Sequence, residues 1–172
     1  MKLPRTAVSA LVLSLSGFLA LVAQEHYVGD AMVPTKNDRP TIGFGSTFHE
    51  DGRAVRMGDK TTPVRALIKA KAHIDKEEIS FRKSLPEVMM YQTEYDLYMD
   101  WVYQYGTGAW WKSSMKRELL AGNYLGACEA LLAYKFSGGY DCTTLINGKP
   151  NKRCWGVWTR QQERHSTCLA AQ

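Results

Sequence analysis

The sequence contains no internal repeat and no low-complexity tract, which excludes solenoids and linker-rich arrays. It also lacks a CxxC pair, a Walker-type phosphate loop, an HExxH motif and a basic stripe interleaved with aromatic residues. Four histidines are present, and none stands at a metal-ligand spacing from another: His26, His49, His73 and His165. We therefore expect no cofactor, no bound metal and no nucleic-acid partner.

The composition is that of a globular protein. With 172 residues, 45% hydrophobic and 23% charged, the chain is long enough for one compact domain and too apolar to be disordered. Its 22 Lys and Arg residues exceed its 17 Asp and Glu residues, which gives a net charge of +5. This balance favours an anionic partner, such as a membrane surface or an acidic polymer.

The N-terminus predicts export. Lys2 and Arg5 precede 19 uncharged residues, 6–24, which would span about 28 Å as a helix, close to the hydrocarbon thickness of a bilayer. The segment is a cleaved signal peptide, a signal-anchor that later leaves the membrane, or a permanent anchor. The releasable anchor is favoured, because residues 21–23 lack a small side chain at the −3 position and because 8 of the 19 residues are Ala, Ser or Gly.

These features divide the chain into an N-terminal segment, residues 1–24, and a domain of residues 25–172. We expect the domain in the periplasm, tethered to the inner membrane at first through residues 6–24. After release, the small-residue face of the segment is predicted to pack against the domain.

The remaining pattern predicts an α+β fold, in which a small antiparallel sheet lobe precedes a mostly helical lobe. Residues 41–47 read as a strand, and residues 50–52 read as a hairpin turn that leads into a returning strand, residues 53–55. Thr62 and Pro63 are typical of a helix start. Further helices are predicted over residues 88–105, 110–121, 124–134 and 155–168. The solvent-exposed face of the last helix is predicted to carry Arg160, Gln161, Glu163 and Arg164.

Glu25, the first charged residue after the apolar segment, opens a recognisable series. Glu25, a proline-containing loop and the segment TIGFG from Thr41 resemble the start of phage-type lysozymes, the muramidase endolysins. Later segments are similar to motifs of the same family, in the same order: WVYQYGTG at 101–108, LAGNYLGA at 120–127, GG at 138–139 and GVWTRQQER at 156–164. The resemblance implies a lysozyme-like fold and a glycoside hydrolase that acts on peptidoglycan, as a monomer.

The resemblance also implies catalytic roles. Glu25 would protonate the glycosidic oxygen, and a second acid together with the Thr41 hydroxyl would hold the attacking water, in an inverting reaction. Counted from Glu25, the second acid of the family falls on Pro34, and counted back from Thr41 it falls on Thr35. Neither is an acid, so Asp38 is the nearest candidate and Asp30 its rival.

Three alternatives remain at this stage. Without a second carboxylate, the enzyme would be a lytic transglycosylase that uses Glu25 alone. Without catalysis, the protein would be a wall-binding module. The third alternative is a cationic protein that disrupts membranes.

The matching segments imply a set of substrate-binding residues in the helical lobe: Tyr105, Gly106 and Arg160.

Four cysteines in so short a chain indicate an oxidising compartment, and they allow three pairings. Their spacing, with no close pair, argues against a zinc site. We favour Cys142–Cys154, which would close the polar loop of residues 143–153, and Cys128–Cys168, which would hold the final helix to an earlier one.

Overall fold

A computed structural model describes residues 4–34 and 38–172. The described residues form seven α-helices: α1 Leu15–Ala23, α2 Pro63–Lys83, α3 Gln92–Tyr105, α4 Thr107–Trp111, α5 Ser114–Leu120, α6 Tyr124–Ala130 and α7 Trp155–Ala171. They also form four two-stranded antiparallel ribbons: β1 Thr6–Ala7 with β4 Met89–Met90, β2 Val28–Met32 with β3 Thr41–Gly43, β5 Phe136–Ser137 with β6 Tyr140–Asp141, and β7 Leu145–Ile146 with β8 Lys149–Pro150. The predicted α+β class is confirmed.

The chain divides into two compact units, and the division falls inside α2. The sheet unit is Leu13–Ile79, and the helical unit comprises residues 4–12 and 80–172. In the sheet unit, β2 pairs with β3, and a second hairpin bridges Phe48 to Ala54. This hairpin matches the turn predicted at residues 50–52. The predicted strand over 41–47 is shorter, because the chain turns back after Gly43 so that Ile42 bridges Ser46.

Helix α2 begins where its sequence predicts. The Thr62 hydroxyl accepts a hydrogen bond from the Arg65 N–H (3.3 Å), and Pro63 is the first helical residue. Other helix bounds differ from the prediction. Helix α3 starts at Gln92 rather than at residue 88, because Met89–Met90 pairs with Thr6–Ala7.

The helix predicted over 110–121 is two helices, α4 and α5, divided at Ser113, whose side chain accepts from the Lys116 N–H (3.1 Å) and so caps α5. The helix predicted over 124–134 ends at Ala130 and continues as a 3₁₀ turn.

The core of the helical unit is aromatic. Phe81, Tyr95, Tyr98, Trp101 and Trp110 are completely buried, and their rings pack edge-on or tilted with centroids 4.8–6.0 Å apart. The Trp110 indole N–H donates to the buried Ser84 hydroxyl (2.8 Å), so this large side chain is buried without losing its hydrogen bond.

The apolar N-terminal segment does not form one helix. After β1 it makes a 3₁₀ turn, Val8–Ala10, and only residues from Leu15 onward are α-helical, with the Ser14 hydroxyl accepting from the Gly17 N–H (2.9 Å). No helix within 4–34 and 38–172 is long and apolar enough to cross a bilayer. The Leu13 N–H donates to the buried carboxylate of Glu78 (2.6 Å), which fixes the part of the segment that belongs to the sheet unit at its first residue.

Large aliphatic side chains provide the packing of the segment. Val8 and Leu11 are buried in the helical unit, and Leu13, Leu21 and Val22 are buried in the sheet unit. The prediction that the small-residue face packs is therefore wrong, since most of the small side chains point to solvent: Ser9, Ala10, Ser16, Ala20 and Ala23.

Arg5 ties the segment to the helical unit. Its guanidinium donates to both carboxylate oxygens of Glu94 (3.0 and 3.2 Å) and to the side-chain carbonyl of Gln172 (2.6 Å). The rings of Tyr91 and Tyr124 flank it, with centroids 4.5 and 3.7 Å from the guanidinium carbon. Glu94 is 1% exposed, so this cluster, which we call the Arg5 clamp, is a largely desolvated ion pair.

Both predicted disulfides are confirmed. Cys128–Cys168 links α6 to α7, and Cys142–Cys154 closes the loop that carries the β7–β8 hairpin. All four cysteines belong to the helical unit. The buried Asn151 supports the closed loop from inside, because its amide donates to the carbonyl oxygens of Cys142 (2.9 Å) and Thr144 (3.0 Å).

Candidate active site

Thr41 lies at one end of the β2–β3 ladder, where it pairs with Met32. Its hydroxyl donates to the Met32 carbonyl oxygen (3.4 Å), so the lone pairs of the hydroxyl oxygen stay available to accept from a water molecule. At the other end, Gly43 pairs with Val28 and has a φ of 67°. A Cβ at Gly43 would stand 2.9 Å from the Cβ of Ala66, so the glycine lets this strand approach α2 closely.

Glu25 follows Gln24, the C-terminal cap of α1. Its N–H donates to the Val22 carbonyl oxygen (3.1 Å), which extends the last turn of the helix, and its side chain is half-buried. Two residues later, Tyr27 packs against Phe44 with ring centroids 5.6 Å apart, and its hydroxyl donates to the Thr61 carbonyl oxygen (2.9 Å). These contacts fix the chain between Glu25 and the start of β2.

Asp38 lies in the loop before β3 and is exposed, and its carboxylate accepts from the Arg39 N–H (3.0 Å). Thr35, the other position reached by counting along the family pattern, lies outside the described residues. The rival carboxylate, Asp30, is on β2 and forms an exposed ion pair with Lys60 (3.1 Å). In sequence, Asp38 lies three residues before Thr41, whereas Asp30 lies eleven residues before it.

The three predicted catalytic residues all belong to the sheet unit. Because β2 and β3 are antiparallel, the start of β2, three residues after Glu25, lies beside the end of β3. Along the chain, Glu25 lies three residues before β2 and Asp38 lies three residues before β3, and Thr41 is the first residue of β3.

The predicted substrate-binding residues all belong to the helical unit, where α3 and α7 bring two of them together. The Tyr105 hydroxyl accepts from the Gln161 amide (2.7 Å) and donates to the Tyr134 carbonyl oxygen (3.3 Å), and burial raises the pKa of this phenol. Gly106, with a φ of 81°, ends α3 and starts α4. Only a glycine adopts that backbone conformation without strain.

Arg160, the neighbour of Gln161, is held by Asp100 on α3. Asp100 accepts from Arg160 (3.1 Å) and from the Arg164 guanidinium (2.6 and 2.7 Å), so one carboxylate serves two cations. Burial lowers the pKa of Arg164, an effect that the charge of Asp100 opposes.

The prediction that Gln161 and Arg164 lie on the solvent-exposed face of α7 is wrong, since these residues are 0% and 4% exposed. Arg160 is also partly covered, and of the four residues predicted there only Glu163 is exposed. The amphipathic pattern of α7 did not reveal that Asp100 on α3 offers a partly buried carboxylate to these side chains.

Two of the four histidines hydrogen-bond to carboxylates. His49 bonds Asp59 (2.8 Å) and His165 bonds Glu129 (3.0 Å). Across residues 4–34 and 38–172, no group of three or more His, Cys, Asp or Glu side chains is placed to hold a metal ion.

The chain matches a known protein family. The phage lysozyme family model matches residues 25–153, so the match begins at Glu25. The endolysin of Salmonella phage P22 is 33% identical over 101 residues, which cover 58% of this chain and 67% of that protein.

Two solved structures are also similar. The endolysin of Escherichia coli O157:H7 phage FAHEc1 has a TM-score of 0.74 and 26% identity over 93% of this chain and 94% of its own. A variant of P22 lysozyme has a TM-score of 0.73 and is 23% identical, with 92% of this chain and 99% of that chain covered. This likeness shows that the two proteins share a fold.

Proposed function

Since the chain belongs to the phage lysozyme family, we propose that it hydrolyses the β-1,4 bond between N-acetylmuramic acid and N-acetylglucosamine and thereby lyses the host cell. The family is one of peptidoglycan-degrading glycoside hydrolases, so the general activity follows from membership. The observation that carries the finer proposal is that Glu25 and Asp38 each lie three residues before a strand of the β2–β3 ladder and that Thr41 begins β3, all within the segment that matches the family.

Glu25 is the general acid. It protonates the glycosidic oxygen as the bond to the anomeric carbon breaks, because an alkoxide is a poor leaving group without a proton. Its half-buried position after α1 supports this role, since a substrate oxygen can reach the carboxyl group while the chain around it is held by Tyr27.

Asp38 is the general base, and Thr41 positions the attacking water. Asp38 accepts the proton of the water, and the Thr41 hydroxyl accepts a hydrogen bond from the same molecule, so that attack occurs on the face opposite the leaving group. This arrangement inverts the configuration at the anomeric carbon. The choice of Asp38 over Asp30 is supported by position, since Asp38 lies three residues before Thr41 and Asp30 lies eleven residues before it.

Tyr105, Gly106 and Arg160 bind the glycan strand. Asp100 holds both guanidinium groups, and of the two Arg160 keeps 19% of its side-chain surface exposed, so a glycan strand can reach it, whereas Arg164 is 4% exposed. The protein acts as a monomer.

Three variants test the catalytic assignment. Glu25→Gln keeps the volume and removes the donated proton, so it is expected to abolish lysis of purified peptidoglycan with an unchanged circular dichroism spectrum. Asp38→Asn is expected to reduce hydrolysis about 10²–10⁴-fold, the usual contribution of a positioned base. Asp30→Asn is the matched control and is expected to stay active.

Product analysis completes the test. Mass spectrometry should find reducing ends, and NMR of fresh products should find the inverted anomer. Anhydro sugars would establish transglycosylation instead. An inactive Asp30→Asn beside an active Asp38→Asn would overturn the assignment of the base.

Residues 6–24 hold the exported chain at the inner membrane before it becomes active in the periplasm. Support comes from the sequence of the segment, which is apolar enough to insert, and from its conformation in the folded protein, where five of its large aliphatic side chains are buried: Val8, Leu11, Leu13, Leu21 and Val22. The folded conformation therefore corresponds to the released form.

Ser9→Leu with Ala20→Leu tests this release. Both side chains are exposed in the fold, so the substitutions raise the hydrophobicity of the segment without disturbing its packing. Fractionation should find the variant trapped in the membrane with lysis delayed, whereas Ser9→Thr should behave as the parent. Timely lysis by the doubly substituted protein, or a mature chain that begins near Gln24, would refute release.

A further inference from the structure

The β7–β8 hairpin of the helical unit is exposed along its whole length. Its two strands are joined by Asn147 and Gly148, and every residue from 144 to 150 is exposed. Both turn residues have a positive φ, 52° and 73°, which is the conformation of the tight two-residue turn that fits a twisted hairpin. None of the roles proposed above uses this hairpin.

The base of the hairpin is fixed. The Cys142–Cys154 disulfide closes it, and the side-chain oxygen of the buried Asn151 accepts from the backbone N–H groups of Arg153 (3.1 Å) and Cys154 (2.9 Å). Because the chain is held on both sides, the hairpin has little conformational entropy to lose when it binds a partner.

Two large aliphatic side chains lie next to the turn. Leu145 and Ile146 are 58% and 55% exposed. Successive side chains of a strand point to opposite faces, so each face of the hairpin presents one of them to solvent. An apolar phase that surrounds the tip would remove both side chains from water, which is favourable.

The same segment is basic. Residues 142–154 contain no Asp or Glu and three cations, which we call the hairpin cations: Lys149, Lys152 and Arg153. All three are exposed, and none of them forms an ion pair with a residue of the described ranges, 4–34 and 38–172. The adjoining carboxylate, Asp141, is bonded to Lys135 (2.9 Å). The positive charge of the hairpin is therefore not balanced by a neighbouring carboxylate.

The cations and the aliphatic side chains lie together. Ile146 pairs with Lys149 across the hairpin, and a lysine side chain can extend its stem along apolar surface while its ammonium stays in a polar layer. Binding to an anionic bilayer grows with the apolar area inserted and with the number of cations near the surface. A hydrated wall polymer offers anions but no apolar phase, so the aliphatic tip favours the bilayer.

An exposed aliphatic face on α1 lacks this combination. Leu15 and Leu19 are 73% and 53% exposed, but residues 15–23 carry no charged side chain. Contact of α1 with a bilayer would therefore not depend on the charge of the lipid. A dependence on lipid charge distinguishes the hairpin from α1.

We propose that the β7–β8 hairpin docks on a bilayer surface that contains anionic phospholipid. Leu145 and Ile146 enter the boundary between headgroups and acyl chains, and the hairpin cations bind lipid phosphates. This contact uses neither residues 6–24 nor the candidate catalytic residues. It gives the folded protein a reversible attachment to a membrane surface through its helical unit.

Sedimentation of the folded, oxidised protein with two kinds of vesicle tests the docking. One is phosphatidylcholine alone, and the other also contains about 30 mol% phosphatidylglycerol. The parent should bind the anionic vesicles about 10–100-fold more tightly, because each cation near such a surface contributes about fivefold. Replacement of the three hairpin cations by Gln should remove most of this preference. Leu145→Thr with Ile146→Thr, which keeps β-branched residues in the strand, should weaken binding to the anionic vesicles about tenfold.

Two control variants separate the hairpin from the rest of the surface. Leu15→Asn with Leu19→Asn should keep the preference for anionic vesicles. A second control removes the same net charge from exposed lysines elsewhere and should also keep the preference: Lys76→Gln, Lys83→Gln and Lys112→Gln. All variants should retain the circular dichroism spectrum, both disulfides and the parent's lysis of purified peptidoglycan, because the hairpin lies outside the catalytic assignment.

Four results would overturn the proposal. They are a parent without preference for anionic vesicles, a hairpin variant that keeps the preference, a control variant that loses as much of it, and hairpin variants that keep vesicle binding but no longer sediment with purified peptidoglycan. The last result would make the hairpin a wall-binding element. A parent that binds anionic vesicles through the hairpin but does not lyse peptidoglycan would refute only the proposed function.

Discussion

Removal of the Arg5 guanidinium should measurably destabilise the helical unit. In Arg5→Met the aliphatic stem remains, while Glu94 keeps two donors, the Tyr91 N–H (2.8 Å) and the Gln172 amide (2.8 Å). Loss of one partner from a fully buried ion pair costs about 3–5 kcal/mol. Because a quarter of the Arg5 side chain is exposed and Glu94 stays partly satisfied, we expect about 2–3 kcal/mol.

Thermal unfolding followed by circular dichroism measures this loss as a decrease of about 5–10 °C in Tm. Arg53→Met is the matched control, because Arg53 pairs with Asp51 where both side chains are more than half exposed, and such pairs contribute about 0–1 kcal/mol. If Arg5→Met lowers Tm no more than Arg53→Met, the clamp does not stabilise the fold. A double-mutant cycle with Glu94→Gln should assign most of the loss to the pair itself.

Three further predictions concern single sites. Trp110→Ala should cost about 3–5 kcal/mol in urea unfolding, since it empties the aromatic core, and a cost below about 1 kcal/mol would contradict the packing. Gly43→Ala should cost more than Gly45→Ala, because both have positive φ but only Gly43 would bring a Cβ within 2.9 Å of Ala66; equal costs would refute the close approach. The pKa of Asp141 is lowered to about 2 by a lysine and two threonine hydrogen bonds, so its stabilisation is present above pH 4 and is lost as the pH falls toward 2. Asp141→Asn should flatten that part of the stability profile, and an unchanged acid limb would show that other groups control it.

Local signals predicted the parts of the fold that depend on neighbouring residues. The start of α2 follows from Thr62 and Pro63, and the turn at residues 50–52 follows from its glycine. Long-range pairing decided the rest. Helix α3 starts late because Met89–Met90 pairs with residues more than 80 positions away, and no local pattern encodes that partner.

The residues of the candidate site also fall into those that the local sequence predicts and those that long-range contacts determine. Glu25 and Thr41 could be found from a motif, and Asp38 from its distance to Thr41. Asp100 could not, because its two arginine partners are on a helix 60 residues later.

The two disulfides are nested: the loop closed by Cys142–Cys154 lies wholly inside the loop closed by Cys128–Cys168. The inner bond joins residues 12 positions apart and the outer bond joins residues 40 apart, so chain entropy favours early closure of the inner loop during oxidation. Oxidative refolding should therefore accumulate a one-disulfide intermediate with an intact Cys142–Cys154 bond and two free thiols at Cys128 and Cys168. That species would already hold the β7–β8 hairpin while α7 is still unattached to α6.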